Sequence, residues 1–333
     1  MRPVAGHHAA QELLARGLAA NQISHAYLFT GPPRIGKTAL AVAFAQLLEC
    51  EQPDVASFTP CGTCAACRKI AHGNHPDVML VEPAEGKRLI GVEAVRDAIR
   101  MANRSPAEGA WRVFVLPTVE LMTTSTVNAL LKTLEEPPPH VVLLLTSAEP
   151  ETLLPTLLSR CQLVTLHPLA NVELREALIA RWGVDPHEAA ELATLANGRL
   201  GWAVRAHERP ELRDERARLL EQLAGLAGSG RAERLRAAGQ FAADTESARA
   251  VIELWTVWWR DVTLAACGAT HLASEGQPRR EAERQGRALG PARAQAFLRA
   301  LLAAQATLDQ NGNPRLTLDV LTLDLPYLAP ASR

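Results

Sequence analysis

The sequence has no marked excess of charge of either sign. Its 35 Lys and Arg stand against 36 Asp and Glu, a net charge of −1, with the cations scattered along the chain. Composition alone therefore predicts no strong affinity for nucleic acid or for a membrane surface. No apolar run suits a membrane span, and the N-terminal stretch MRPVAGHHAAQ lacks the apolar core of a signal peptide. These absences point to a cytoplasmic protein with no membrane partner. No internal repeat or low-complexity tract is evident.

A more telling absence is that of two carboxylates. The run Arg112 to Leu116 (RVFVL) has the apolar, β-branched character of a parallel strand covered on both faces. In phosphate-loop enzymes that hydrolyse nucleotides, such a strand ends in an Asp, often followed by Glu, which holds the metal and helps to orient the attacking water. Here those places hold Pro117 and Thr118, and neither offers a carboxylate. Glu120 lies two residues beyond the place of the second acid. Because a misplacement of roughly 1 Å can cost about a hundredfold in rate, Glu120 is not expected to rescue the chemistry.

What is present is the loop that such a strand would serve. Gly31, Pro32, Pro33, Arg34, Ile35, Gly36, Lys37 and Thr38 follow a short apolar run, His25 to Thr30, and precede an apolar helix expected over Thr38 to Glu49. Turn-forming residues at this spacing let backbone N–H groups converge on phosphates at a helix N-terminus. Gly31 and Gly36 shape the loop, Lys37 would reach the terminal phosphates, and the Thr38 hydroxyl would ligate Mg²⁺. Arg34 stands where a glycine is common and crowds the loop.

Cys50, Cys61, Cys64 and Cys67 give one distant ligand and then CGTCAAC, two successive two-residue gaps that can fold around one tetrahedral ion. In a cytosolic protein this pattern reads as structural Zn²⁺, against redox-active or merely buried thiols. Four protein ligands leave no open position, so such a zinc would hold a hairpin together and catalyse nothing. Cys161 and Cys267 stand apart, and Cys267, on an apolar helix, reads as a core residue.

At 333 residues and 47% hydrophobic content, the chain is expected to build two or three domains. Strands are expected near Tyr27–Thr30, Val78–Glu82, Val113–Leu116, Val141–Thr146 and Leu163–Leu166, alternating with helices near Val92–Asn103 and Ser125–Glu136, the latter stopped by Pro137, Pro138 and Pro139. That alternation predicts an α/β domain with a doubly wound parallel sheet over residues 1–168, including the cysteine insertion at about 50–67. Short amphipathic helices over 169–208, with Asn197 and Gly198 as a cap between two of them, read as a small helical lid. Residues 209–333 read as an all-helical third domain. Its Trp255, Trp258 and Trp259 sit at helical spacing, as a core or subunit-contact face rather than a base-stacking platform. Asn311, Gly312 and Asn313 predict a turn before a last helix near Leu316–Leu323.

TLLSRC at Thr156 to Cys161 places Arg160 at the end of an apolar helix, just before the last strand and after one ending in Thr146 and Ser147, where a polar sensor of the γ-phosphate is expected in ring-forming ATPases. An arginine at that exit points out of its own site, toward a neighbour's.

The chain resembles the delta-prime family of bacterial clamp-loader subunits, which are AAA+ proteins. HAYLFTGPPRIGKT, the four-cysteine insertion, NALLKTLEEPP at Asn128 to Pro138, and Ser159, Arg160 and Cys161 carry the resemblance, which extends over essentially the whole chain. It implies an AAA+ nucleotide-binding domain, a helical lid and an all-α collar through which five subunits form a ring. It further implies a stationary, non-hydrolysing member of the DNA polymerase III holoenzyme that helps to load the sliding clamp onto primed DNA. Gamma or tau and delta subunits would be its partners, and Arg160 would be an arginine finger inserted in trans at the γ-phosphate of a gamma or tau neighbour. In that reading the loop holds ATP or ADP with Mg²⁺ as a fixed element. Active subunits carry a sensing arginine about where Gly201 falls, and Arg199 is displaced from it. Related subunits also bring basic residues toward the duplex before the second strand, whereas Arg104 to Trp111 (RSPAEGAW) offers Arg104 opposed by Glu108. Only a minor, salt-sensitive DNA contact is expected there. Two further readings stand beside this one: an ATP-hydrolysing gamma/tau-like motor, and a zinc-finger nucleic-acid binder.

Overall fold

Five short apolar runs form one parallel sheet: β1 (Ala26–Thr30), β2 (Val78–Leu80), β3 (Arg112–Leu116), β4 (Val141–Ser147) and β5 (Gln162–Thr165), in the order β2-β3-β4-β1-β5. The computed structural model describes residues 4–83, 89–273, 277–310 and 312–328. Every residue of β1, β3 and β4 is buried, which explains why these strands read as unbroken apolar runs rather than as alternating ones. Alternation survives in which core each residue joins: Tyr27 and Phe29 pack with Leu40, Phe44 and Leu144 on one face, while Ala26 and Leu28 pack with Phe114, Leu143 and Leu157 on the other. The edge strands differ. β2 is three residues long, ending two short of the expected Glu82, and β5 exposes three of its four residues.

The helices of this half are α1 (His8–Ala19), α2 (Lys37–Glu49), α3 (Ala65–Ala71), α4 (Val92–Ala102), α5 (Thr124–Glu135) and the single turn α6 (Pro155–Leu158). From β1 the chain crosses to the far edge, returns through β3 and β4, and then lays β5 on the other side of β1. The C-terminal end of β1 is thereby a switch point, the place where parallel α/β sheets open a crevice for ligands. Next come α7 (Asn171–Trp182), α8 (Pro186–Ala196) and α9 (Leu200–Glu208), with a core of their own around Leu174, Leu178, Leu192 and Trp202. Asn197 (φ 50°) and Gly198 (φ 80°) break the chain between α8 and α9 in the left-handed region, as their residue types predict.

The chain divides into two compact units, Met1–His207 and Glu208–Arg333. The second contains α10 (Glu211–Gly225), α11 (Arg231–Phe241), α12 (Thr245–Ala266), α13 (Gln277–Asp309, broken at Gly290 before Pro291) and α14 (Pro314–Asp324), with no strand among its described residues. Trp255, Trp258 and Trp259 are core residues there, and the rings of Trp255 and Trp259 lie 5.4 and 4.6 Å from that of Phe297. Cys267 corrects an expectation. It is exposed, because α12 ends at Ala266 and the chain turns away through Gly268 at φ 75°. Asn311 lies outside the described residues, while the Asn313 side chain caps α14 by accepting from the Leu316 amide.

Candidate nucleotide site and cysteine cluster

The loop between β1 and α2 turns on backbone that glycine permits. Gly31 and Gly36 have φ of 139° and 120°, and a Cβ on Gly31 would run into the carbonyl of Leu166. Arg34 also adopts a left-handed φ of 61°, a conformation that costs a non-glycine residue roughly 1–2 kcal/mol. Ile35 anchors the turn in the core, and its carbonyl lies 3.1 Å from Nε2 of His7. Lys37 is buried, and its Nζ donates to the carbonyls of Gly31 (2.6 Å) and Pro32 (2.9 Å), so the ammonium lies inside the loop it would serve. Burial pushes its pKa down to about 8, against the opposing charge of Glu120. Thr38 follows, half-buried, in the first turn of α2. This donor set, converging amides, a buried ammonium and a hydroxyl at a helix N-terminus, fits a nucleotide's phosphates and their Mg²⁺.

Helix α9 meets the loop backbone to backbone. A Cβ on Gly201 would lie 2.6 Å from the Arg34 carbonyl oxygen, so glycine is what allows the approach. Arg199, two residues earlier, is buried with its Nε donating to the Ala196 carbonyl, and burial followed by the nearby charge of Arg34 holds its pKa below the usual value. On the strand ends opposite, Thr146 and Ser147 are buried. The Thr146 hydroxyl accepts from the Thr118 amide (3.0 Å) and the Ser147 hydroxyl from the Glu149 amide (3.1 Å).

Arg160 lies at the other end of the sheet. β5 runs parallel to β1 with Gln162 beside Tyr27, so the residues preceding Gln162 sit about 13 Å, four strand rises, from the level of Gly31. Its guanidinium donates to Glu135 Oε1 (2.7 Å), the Thr156 carbonyl (2.8 Å) and the Ser159 hydroxyl (3.3 Å), and the side chain keeps 31% exposure. Exposed Leu154 and Leu163 flank it in sequence.

Cys50, Cys61, Cys64 and Cys67 converge, with all four Sγ atoms within 4.8 Å of one another. Tetrahedral zinc–thiolate bonds of about 2.3 Å place sulfurs about 3.8 Å apart, so the cluster fits such an ion after slight contraction. The amides of Cys61, Cys64 and Cys67 donate to the sulfurs of Cys50, Cys61 and Cys64 (3.3, 3.3 and 3.4 Å), and Cys64 thereby caps α3. The Cys64 amide leads the interactions that pull the Cys61 thiol down to about 6, whereas burial pushes Cys67 and Cys50 up, a cost that a divalent cation would offset. An antiparallel bridge between Asp54 and Thr59 closes the loop leading into the cluster.

A second polar centre has no motif in the sequence. Asp77, 1% exposed, accepts from the amides of Ala107 (2.7 Å), Glu108 (2.7 Å) and Gly109 (3.0 Å) and pairs with buried Arg112 at 3.1 Å. Arg112 in turn donates to the Ser105 carbonyl at 2.7 Å. Glu49, buried and pushed up to about 7 by that burial, accepts from the Trp111 amide at 2.9 Å. Lys69 of α3 reaches Glu108 at 2.5 Å. The segment 105–111 is thus held by two acids beneath it and tied to the helix that carries Cys67.

Residues 6–170 match the family model described as DNA polymerase III, delta subunit. Over 202 residues the chain is 41% identical to the delta-prime subunit of DNA polymerase III from Pseudomonas aeruginosa, a match spanning 60% of this chain and 60% of that protein. Over 165 residues it is 40% identical to the tau subunit from Escherichia coli, spanning 50% of this chain and 25% of the relative. A solved DNA polymerase III gamma subunit-related protein from Thermotoga maritima superposes over 94% of this chain and 97% of its own, with 18% identity and a TM-score of 0.46.

Proposed function

We propose, from the premise that residues 6–170 belong to the DNA polymerase III delta-subunit family, that the chain is a clamp-loader subunit of delta-prime type. It would work as a stationary member of a ring of five, beside gamma or tau and delta subunits, in loading the sliding clamp onto primed DNA. In this reading it hydrolyses no ATP itself and supplies Arg160 in trans. The observation that carries the reading is the placement of Arg160, at the end of the sheet away from its own phosphate loop and pinned there by Glu135. A guanidinium so held serves a phosphate only if another chain presents one. Pro117 and Thr118 at the end of β3 agree with a site that holds nucleotide without cleaving it. The lid over 169–208, the collar over 209–333 and zinc at the four cysteines complete the proposal.

The test is DNA-dependent ATP turnover by the reconstituted loader containing wild-type chain, Arg160→Ala or Lys37→Ala. Arginine fingers are worth about 10³ to 10⁵ in rate at the site they serve, so Arg160→Ala should silence the one neighbouring site while Lys37→Ala leaves turnover nearly intact. The competing gamma/tau-like motor gives the reverse pattern, loss with Lys37→Ala and none with Arg160→Ala. A zinc-finger nucleic-acid binder would instead shift DNA as the isolated chain at physiological salt.

A further inference from the structure

At the place of the second missing acid the chain makes an unusual turn. Thr118 has a left-handed φ of 55°, a costly conformation for a β-branched residue, and its amide is tied to the Thr146 hydroxyl. The single 3₁₀ turn Val119–Leu121 follows at once, with Val119 buried as its anchor. Without the reversal at Thr118 the chain would leave the strand ends. With it, Glu120 comes back over the end of β4, where its Oε1 accepts from the Ala148 amide at 2.9 Å. Ala148 follows Ser147, and Ser147 pairs in register with Thr30, the residue before Gly31. The carboxylate therefore stands beside the mouth of the phosphate loop, near enough for its charge to act on the Lys37 ammonium. Its second oxygen, Oε2, is buried and has no hydrogen-bond partner among the described residues. A buried carboxylate oxygen left without a donor is costly unless a cation completes its surroundings.

We propose that Glu120, delivered by the left-handed turn at Thr118, is the acidic residue of the nucleotide site and faces the Mg²⁺ that accompanies bound phosphates, in place of the acids lost at Pro117 and Thr118. The inference rests on the reading of Gly31 to Thr38 as a nucleotide site, and it reverses the expectation that two residues of displacement put Glu120 out of play. Sequence spacing measures displacement along the chain, whereas the turn at Thr118 cancels much of it in space. The assignment concerns metal-dependent holding of a nucleotide and adds no hydrolytic step.

The test is calorimetric titration of the full-length, zinc-loaded chain with ADP in excess Mg²⁺ and with ADP in buffer without added Mg²⁺. Wild type should bind Mg·ADP about tenfold more tightly than free ADP, a preference worth about 1.4 kcal/mol. In Glu120→Gln, whose amide oxygen keeps the bond from Ala148, that preference should fall below about threefold while metal-free ADP binds as well as before or better, one negative charge having left the phosphates' surroundings. Glu120→Asp, shorter by one methylene, should give an intermediate loss. With Mn²⁺ substituted, the electron paramagnetic spectrum of bound Mn·ADP should change between wild type and Glu120→Gln. If Glu120 merely anchors its own turn, Glu120→Gln will keep the full metal preference and the Mn²⁺ spectrum, and the proposal is wrong while the nucleotide reading stands. If wild type binds ADP in neither condition, both fall together. Thermal melts of each variant without nucleotide identify any that fail to fold, and the Gln and Asp variants then decide independently.

Discussion

Asp77→Asn should be among the most damaging single-atom changes in this chain. The wild-type carboxylate is wholly buried, accepts three backbone amides from residues 107–109, and neutralises Arg112, itself 5% exposed. Asparagine matches its shape but replaces one acceptor oxygen by a donor that faces those same amides, and it leaves the buried guanidinium without its counter-charge. Removing one partner of a buried ion pair costs about 3–5 kcal/mol. Three charge-assisted hydrogen bonds at about 1.5–3 kcal/mol each would exceed that if summed, but bonds sharing one acceptor group are not additive, so the lower bracket is the one to use. In a unit of about 200 residues, 1 kcal/mol moves the melting temperature by about 2–4 °C, so the expected loss is about 6–20 °C at pH 7.

The pH dependence gives the same prediction a second check. Burial raises the Asp77 pKa, and the three amides with Arg112 more than reverse this, so the folded-state value lies below the ordinary 3.8. A depressed carboxylate pKa contributes stability that is complete above the unfolded value and is lost as pH falls through the folded one. The part of the gap between wild type and Asp77→Asn that the titration of Asp77 itself carries should therefore be complete above about pH 5 and be lost below about 4. Calorimetric melts across that range, with hydrogen exchange reporting on residues 105–111, measure both. A shift under about 3 °C at pH 7, with unchanged exchange in that segment, would refute the claim that Asp77 holds it in place.

Three other predictions concern the sites. Cys64→Ser should abolish stoichiometric zinc by elemental analysis and expose residues 50–71 to limited proteolysis, because metal binding worth about 10 kcal/mol or more is folding energy at such a cluster; retained zinc with unchanged cleavage would count against the fourfold ligation. Gly201→Arg should push α9 away from the loop, since its Cβ starts 2.6 Å from the Arg34 carbonyl, and faster hydrogen exchange across residues 200–208 measures the displacement; unchanged exchange there would show that the contact yields elsewhere. Lys37, with its pKa near 8, is partly neutral at pH 8.5, and phosphates bound beside it favour the charged form, so nucleotide binding there should take up a fraction of a proton, read from the dependence of binding enthalpy on buffer ionisation. Equal enthalpies in HEPPS and Tris, two buffers of different ionisation enthalpy that do not offer a phosphate, would mean that Lys37 does not meet the phosphates.

The sheet was legible in the sequence because burial on both faces turns each central strand into an apolar run, and the loop was legible because its glycines are demanded by local backbone geometry. The cysteines were legible for the same local reason, a spacing that one ion can satisfy. What the sequence hid depends on distance across the fold. Nothing around Asp77 announces that amides thirty residues later will close on it, and nothing in GRLGW says that Gly201 is small because a loop carbonyl from Arg34 presses against it. Cys267 misled for a local reason, since the apolar periodicity of α12 runs one residue past its last helical turn. Thr118 misled in the opposite direction. A β-branched residue gives no hint of a left-handed turn, so Glu120 looked stranded.

On the proposed function, a subunit that holds nucleotide without cleaving it would gain from the ligand as a structural element, and three groups around the loop bear on that gain. Lys37 is kept in a dry loop where its charge is disfavoured, Glu120 brings a carboxylate oxygen to the same region without a donor for it, and Arg34 and Arg199 lie close enough for like charges to oppose one another. Each of these carries a free-energy cost that a bound Mg-nucleotide would relieve on the proposed reading: phosphates for the cations, the metal for the carboxylate. A ligand present at a hundred times its dissociation constant adds about 2.7 kcal/mol to the folded state, and it adds it where β1, the loop and helix α9 meet. Loss of the acids at Pro117 and Thr118 then has a physical use. On the proposed function, a nucleotide that is never hydrolysed would keep that stabilisation constant through every cycle of the neighbouring subunits, and the chain would present Arg160 from a unit whose own state does not change.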